Sequence, residues 1–198
     1  MTLPDTTLPA GWYPVEDTAE MLGAQVSAEL TSWLVDTVAA AAPELGRPGA
    51  LCPFVRPALD ARRLYAVVVP GSPEAAETEA ATRREAAAFL TAPPVQPDPR
   101  AVHKSLLIVL PDARNQREVT TLVQRVKLDL IRSGMTCGEF YPECDDRSVR
   151  NNEVKVATSP VPLIALRYLT KHDELFLRSQ PQYYASYQEW RANGQRSS

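Results

Sequence analysis

Cys52, Pro53 and Phe54 sit in a loop, GRPGALCPFV, that proline and glycine hold stiff. Proline removes a backbone donor and fixes its own φ, so a Cys-Pro pair can present a thiolate in a set direction. Thiolate is an established axial ligand of haem iron. On that reading Cys52 is the metal ligand, and Pro53 and Phe54 complete a haem-binding surface. The same residues also fit a small buried hydrophobe packed between Leu51 and Phe54. A third use of Cys52, as a nucleophile, needs a nearby base, and His103 is the candidate for it. The only other histidine, His172, lies in the charged turn TKHDE, where solvation is expected.

A second group lies between Met135 and Thr170, where MTCGEFYP and PLIALRYLT bracket a polar loop. Polar side chains on loops held by strands are a usual place for function, because the scaffold fixes them. Glu139 is a candidate acid–base group: pointed inward, its burial would raise its pKa toward the useful range. Asp145, Asp146 and Glu153 read equally well as turn formers. Arg167 interrupts the apolar run LIALRYL, so its guanidinium needs a carboxylate, a carbonyl or a ligand. Pairing with Glu139 across adjacent strands and capture of an anion both satisfy that need, and a partly buried, paired Arg167 is expected.

The elements that must position these residues follow from periodicity. Met21, Leu22, Val26, Leu30, Trp33, Leu34 and Val38 keep the three-or-four spacing of one helix face, predicting a helix from Asp17 or Thr18 to about Ala42. RLYAVVVP (63–70) and KSLLIVLP (104–111) read as short buried strands, with His103 opening the second. Between them, 73–91 reads as a helix with Pro73 in its first turn and its charges ordered along the macrodipole. Asn115 and Glu118 are spaced as a capping box ahead of the stripe Val119, Leu122, Val123, Val126 and Leu130, and Gly134 ends that helix. The stripe is expected to pack on Val67, Val69, Leu107 and Val109. Strands at 135–141 and 163–169 follow, and a last helix after Pro181 docks by its aromatics.

That order predicts an α/β chain of the α+β kind: a ferredoxin-like mixed sheet packed on helices, with an added N-terminal helix. A three-layer αβα sheet is the alternative. One domain is expected over 1–198, with a helical extension at 1–45, an α/β core at 46–180 and a helical tail at 181–198.

Composition narrows the classes further. Hydrophobic content of 44%, 23% charged residues and a net charge of -3 describe an ordinary soluble chain with no general pull toward nucleic acid or anionic membrane. No apolar run reaches the ~20 residues of a spanning helix, and the N-terminus lacks the basic and apolar regions of a secretory signal. Three cysteines without a CxxC pair indicate neither zinc site nor disulfide framework, and reduced thiols in a cytoplasmic protein are the simplest expectation. Dinucleotide, P-loop, α/β-hydrolase and zincin motifs are missing.

The stretches LGRPGALCPFV, KSLLIVLP, GMTCGEFYP and SPVPLIALRYLTKHDELFL resemble a bacterial domain family of unknown function often found near natural-product genes. The likeness runs over about residues 45–178. Cys52, Pro53 and Phe54 match its Cys-Pro-Phe stretch, and Ser159, Pro160 and Pro162 its Ser-Pro-x-Pro. Tyr141 stands where the family's Gly-Glu-Phe-His-Pro has histidine, which removes that imidazole from any role here. The resemblance implies a bacterial, cytoplasmic, small-molecule setting and supplies no mechanism.

The expected function is therefore a small-molecule biosynthesis protein with a cleft between the Cys52 loop and the 139–153 loop. Haem-thiolate oxidative chemistry is its sharpest form, with Glu139, His103 and Arg167 as catalytic candidates. A non-catalytic binding or assembly partner and a cysteine-nucleophile enzyme are the alternatives. The expected partner is a small-molecule substrate, with no nucleic acid and no membrane, and a homodimer is left open.

Overall fold

The computed structural model describes residues 8–46, 48–148 and 151–196. The first seven residues of the expected lead-in and two residues of the polar loop lie outside the described ones. Five strands make one sheet in the order β1-β2-β3-β5-β4. They are β1 (Tyr13–Pro14), β2 (Leu64–Val68), β3 (Ser105–Val109), β4 (Met135–Phe140) and β5 (Leu163–Tyr168). The pair β2–β3 is parallel and every other pair antiparallel. The parallel pair is joined across α4 (Ala76–Thr91), as parallel neighbours require a crossover. The expected mixed sheet packed on helices is thus present.

One face of the sheet carries Tyr65, Val67, Leu106, Ile108, Ile164 and Leu166 against Phe89 of α4 and the stripe of α5 (Gln116–Arg132). The helix begins where the sequence indicates: the Asn115 side chain accepts from the Glu118 N–H, and Glu118 accepts from the Arg114 N–H. The other face carries Leu64, Ala66, Leu107 and Leu163 against Leu30, Leu34, Ala58 and Leu59. Two of the expected stripe partners therefore change. Val67 and Val69 do meet α5, but Leu106 and Ile108 take the place assigned to Leu107, and Val109 shares Leu107's face by register. A strand buried on both faces has no polar–apolar alternation from which to read its parity.

The expected N-terminal helix is broken. A 3-10 turn at Val15–Asp17, α1 (Ala19–Leu22), α2 (Ala24–Trp33) and a wider turn at Leu34–Val38 replace it. Gly23, at φ +79°, makes the break, a conformation cheap only for glycine. The buried Thr18 and Ser27 hydroxyls meet across it at 2.8 Å, so the break is built in rather than frayed.

The rest is local. A short helix α3 (Val55–Asp60) leads into β2, and Pro73 precedes α4 instead of lying in its first turn. After β5 come α6 (Glu174–Leu177) and α7 (Pro181–Arg196), with Leu177, Tyr183 and Tyr187 packed on Ile131 and Leu169. Among the described residues no helix is long and apolar enough to cross a membrane.

Candidate functional site

Arg167 is next to last in β5, on the face shared by Leu163 and Ala165. Its side chain is 21% exposed, and that of Asp173 is 4% exposed. Nη1 donates to Asp173 Oδ2 at 2.9 Å and Nη2 to Asp173 Oδ1 at 2.6 Å, while Nη1 also donates to the Tyr168 carbonyl at 3.0 Å. The carboxylate is fixed in turn by the Thr170 N–H at 2.7 Å and its hydroxyl at 3.0 Å, a capping box on the turn Lys171–Asp173. An end-on fork of this kind is among the stronger and more directional contacts available to a side chain. Arg167 is thus partly buried and paired as expected, but not with Glu139.

Glu139 lies on the opposite face, opposite Ile164 in the register. It is half-buried there, and that burial raises its pKa, with Lys127 pulling the other way. Side chains on the two faces of a sheet cannot meet without a shift of register, so the pairing of Glu139 with Arg167 fails on parity alone.

What Arg167 does meet is Phe54, whose ring centroid lies 4.5 Å from the guanidinium carbon. The Cys-Pro-Phe loop is thereby brought to the Arg167 end of the sheet. Cys52 is half-buried, whereas Cys137 and Cys144 are buried. The Cys52 N–H donates to the Val38 carbonyl at 3.0 Å and Ala41 bridges Ala50, which stitches the loop to the end of the N-terminal helical region. Burial pushes the Cys137 thiol up to about 12 and raises that of Cys144, so both are poor thiolates at neutral pH. Among the three cysteines, access to solvent favours Cys52.

His103 closes a 3-10 turn, Pro99–His103, rather than opening the strand, and is half-buried. That turn packs beside α3, which directly follows Phe54. Arg167, Phe54, Cys52 and His103 therefore gather at one end of the fold, while Glu139 stands apart. The polar-loop acids look inward to their own loop: Lys155 reaches Asp145 at 2.6 Å and Arg147 bridges back to Lys155 through the backbone. The Lys155 ammonium lowers the Asp145 pKa. Asn151 donates to the Glu44 carbonyl at 2.8 Å, joining the polar loop to the turn Pro43–Leu45. Two surface hollows lie elsewhere, one of about 550 Å³ beside Tyr13, Met21 and Glu85, one of about 230 Å³ beside Glu174 and Tyr184.

A family model described as a domain of unknown function (DUF6875) matches residues 27–197. The chain belongs to that family. The DUF6875 match takes in β2 to β5 and every residue gathered around Arg167, and leaves out β1 and the first helical turns. Comparison with curated proteins and with solved structures found no match.

Lys104 is the residue that sequence reasoning missed most plainly. It is fully buried. Its Nζ donates to the carbonyls of Phe89 and Ala92 and stands 4.3 Å over the Phe89 ring and 5.1 Å from that of Tyr168. A desolvated lysine has the profile of a nucleophile, but this one is committed to the last carbonyls of α4, where a cation also suits the helix dipole. Burial brings it down to about 8 from the ordinary 10.5, while the carbonyls and rings favour the charged form. Between those values the unfolded chain holds a proton that the folded one has shed, so stability rises with pH across that window. Subtracting the urea-unfolding energy of Lys104→Met from that of the wild type should show a rise on the order of 1–2 kcal/mol from pH ~7.5 to ~10. A difference that stays flat would refute the assignment.

Proposed function

We propose that this DUF6875 protein binds a small molecule in biosynthetic metabolism, at the junction of the Cys52–Phe54 loop and the Arg167 end of the sheet. The observation that carries the reading is the Phe54 ring stacked on a guanidinium already aimed by Asp173. Among the described residues the Arg167 Nε–H and the second Nη2–H have no acceptor. A cation held in place, with spare donors and an aromatic cover, suits a ligand that combines a flat apolar body with an anionic group. The resemblance to a family found near natural-product genes supports a bacterial, cytoplasmic, biosynthetic setting.

Haem is the ligand of this class that Cys52 itself favours. It is flat and apolar, it carries carboxylates, and its iron accepts a thiolate. The residues present fit it in kind: Cys52 would supply the axial sulfur and Arg167 would hold a carboxylate, and bound haem would bring oxidative chemistry. Titrating purified protein with haemin tests this. The expected result is a Soret band that moves, on reduction under carbon monoxide, to the long wavelength of thiolate ligation. Cys52→Ala should abolish it and Cys137→Ala should not. Without a Soret band, binding of benzoate that Phe54→Ala weakens would support the non-catalytic binding protein instead. The absence of both signals would overturn the proposal.

A further inference from the structure

The outer edge of β2 is covered along only part of its length. β1 pairs with it at two positions, Tyr13 with Ala66 and Pro14 with Tyr65, while β2 runs from Leu64 to Val68. A turn lifts the chain off the rest of that edge. In it the Trp12 N–H donates to the Pro9 carbonyl at 3.1 Å, and Gly11 takes φ +81°. Trp12 is then pinned: its Nε1–H donates to Glu85 Oε2 at 2.9 Å, and its ring lies 5.8 Å from that of Tyr65. The gap is built into the fold.

Val68 is the residue that the gap leaves open. The Val69 N–H donates to the Val109 carbonyl at 2.9 Å, on the β3 side. Successive residues of a strand send their main-chain groups to opposite edges, so the N–H and C=O of Val68 point away from β3. By register Gly11 would face them, but the turn carries it off, and neither group has a main-chain partner among the described residues. An open donor and acceptor on one strand residue are a template for another extended chain.

The hollow of about 550 Å³ lies around Val68. Glu85 of α4 reaches it from the side of the sheet that carries Phe89, and Glu20 of α1 from the side where Met21 packs on the other face. Glu85 is 12% exposed and aimed by Trp12. Arg84 also lines the hollow, 3.4 Å from Glu85 Oε1, with its side chain 70% exposed. Two carboxylates against one guanidinium leave the lining net negative, which favours a cationic occupant.

We propose that this edge binds an extended segment of a partner protein that carries lysine or arginine. The segment pairs its main chain with Val68 where β1 stops, as strands added to a sheet edge do. Its side chains alternate between the two faces, so a cation of either parity meets a carboxylate, Glu85 on one side and Glu20 on the other. The site lies apart from the Phe54–Arg167 junction and does not depend on what that junction binds.

The test titrates the peptide acetyl-Val-Lys-Val-Lys-Val-amide into the ¹⁵N-labelled full chain and follows amide shifts and amide hydrogen exchange by NMR. Saturable shifts around Gly11 and Val68 are expected, at a Kd of about 1 mM or tighter. At saturation the Val68 amide should exchange more slowly, because it has gained a main-chain acceptor. Glu20→Lys and Glu85→Gln should each weaken binding about fivefold, and the peptide with glutamate in place of both lysines should not bind. No saturable shift, unslowed exchange at Val68, unchanged affinity in both variants, or equal affinity for the glutamate peptide would overturn the proposal. So would n-butylammonium binding as tightly as the peptide, which would make the hollow a site for small amines. Glu20 is exposed, and its replacement leaves the Trp12–Glu85 bond in place, so a fold lost in the Glu85 variant does not remove the test.

Discussion

Asp173→Ala is expected to lower the unfolding free energy by about 3–5 kcal/mol, the cost of leaving a mostly buried guanidinium without its counter-ion. Three contacts go at once: the fork from Arg167 and the two bonds by which Thr170 is capped. Replacing both partners, Asp173→Ala with Arg167→Met, should recover a large part of the loss, since an apolar pair of similar volume carries no uncompensated charge. A double-mutant cycle read by urea unfolding would show strong coupling between the two positions. Simple additivity of the two single losses would mean that the fork contributes little to stability. Salt should matter little to this pair, because burial shields it from screening.

Leu122→Ala should cost about 2–5 kcal/mol. Leu122 is fully buried in the cluster that joins α5 to Leu106, Ile108 and Leu166. Truncation removes transfer energy and leaves a cavity beneath a helix clamped on the sheet, where little can move to fill it. For a chain of this length each kcal/mol lowers Tm by ~2–4 °C, so calorimetry would read the change easily. Leu175→Ala, at a position half-exposed on α6, should move Tm very little. Comparable drops in the two variants would contradict the core described here.

The sequence revealed the elements more readily than their meeting points. The cap of α5 and its apolar stripe were readable because Asn115, Glu118 and Gly134 mark both ends of a helix whose period is unmistakable. The break at Gly23 was not, because the apolar spacing continues through it from Leu22 to Val26. Asp173 has a local signal, since Thr170-x-x-Asp173 has capping-box spacing. Lys104 had none, since a lysine beside a strand ordinarily points into water. Which residue covers Arg167 is a matter of tertiary packing, and nothing near Phe54 or Arg167 in sequence announces the other.

The charge at the site and its cover answer to different parts of the chain. Asp173 fixes Arg167 from six residues away, through a loop short enough to close at small entropic cost. Phe54 arrives from the far side of β2, β3 and β4. Substitutions in the 48–54 loop can therefore change the shape and apolar character of what lies over the cation without turning the cation itself. The cation is thus set by its own stretch of chain and the cover by a remote one, so the two can be changed by mutation independently of each other.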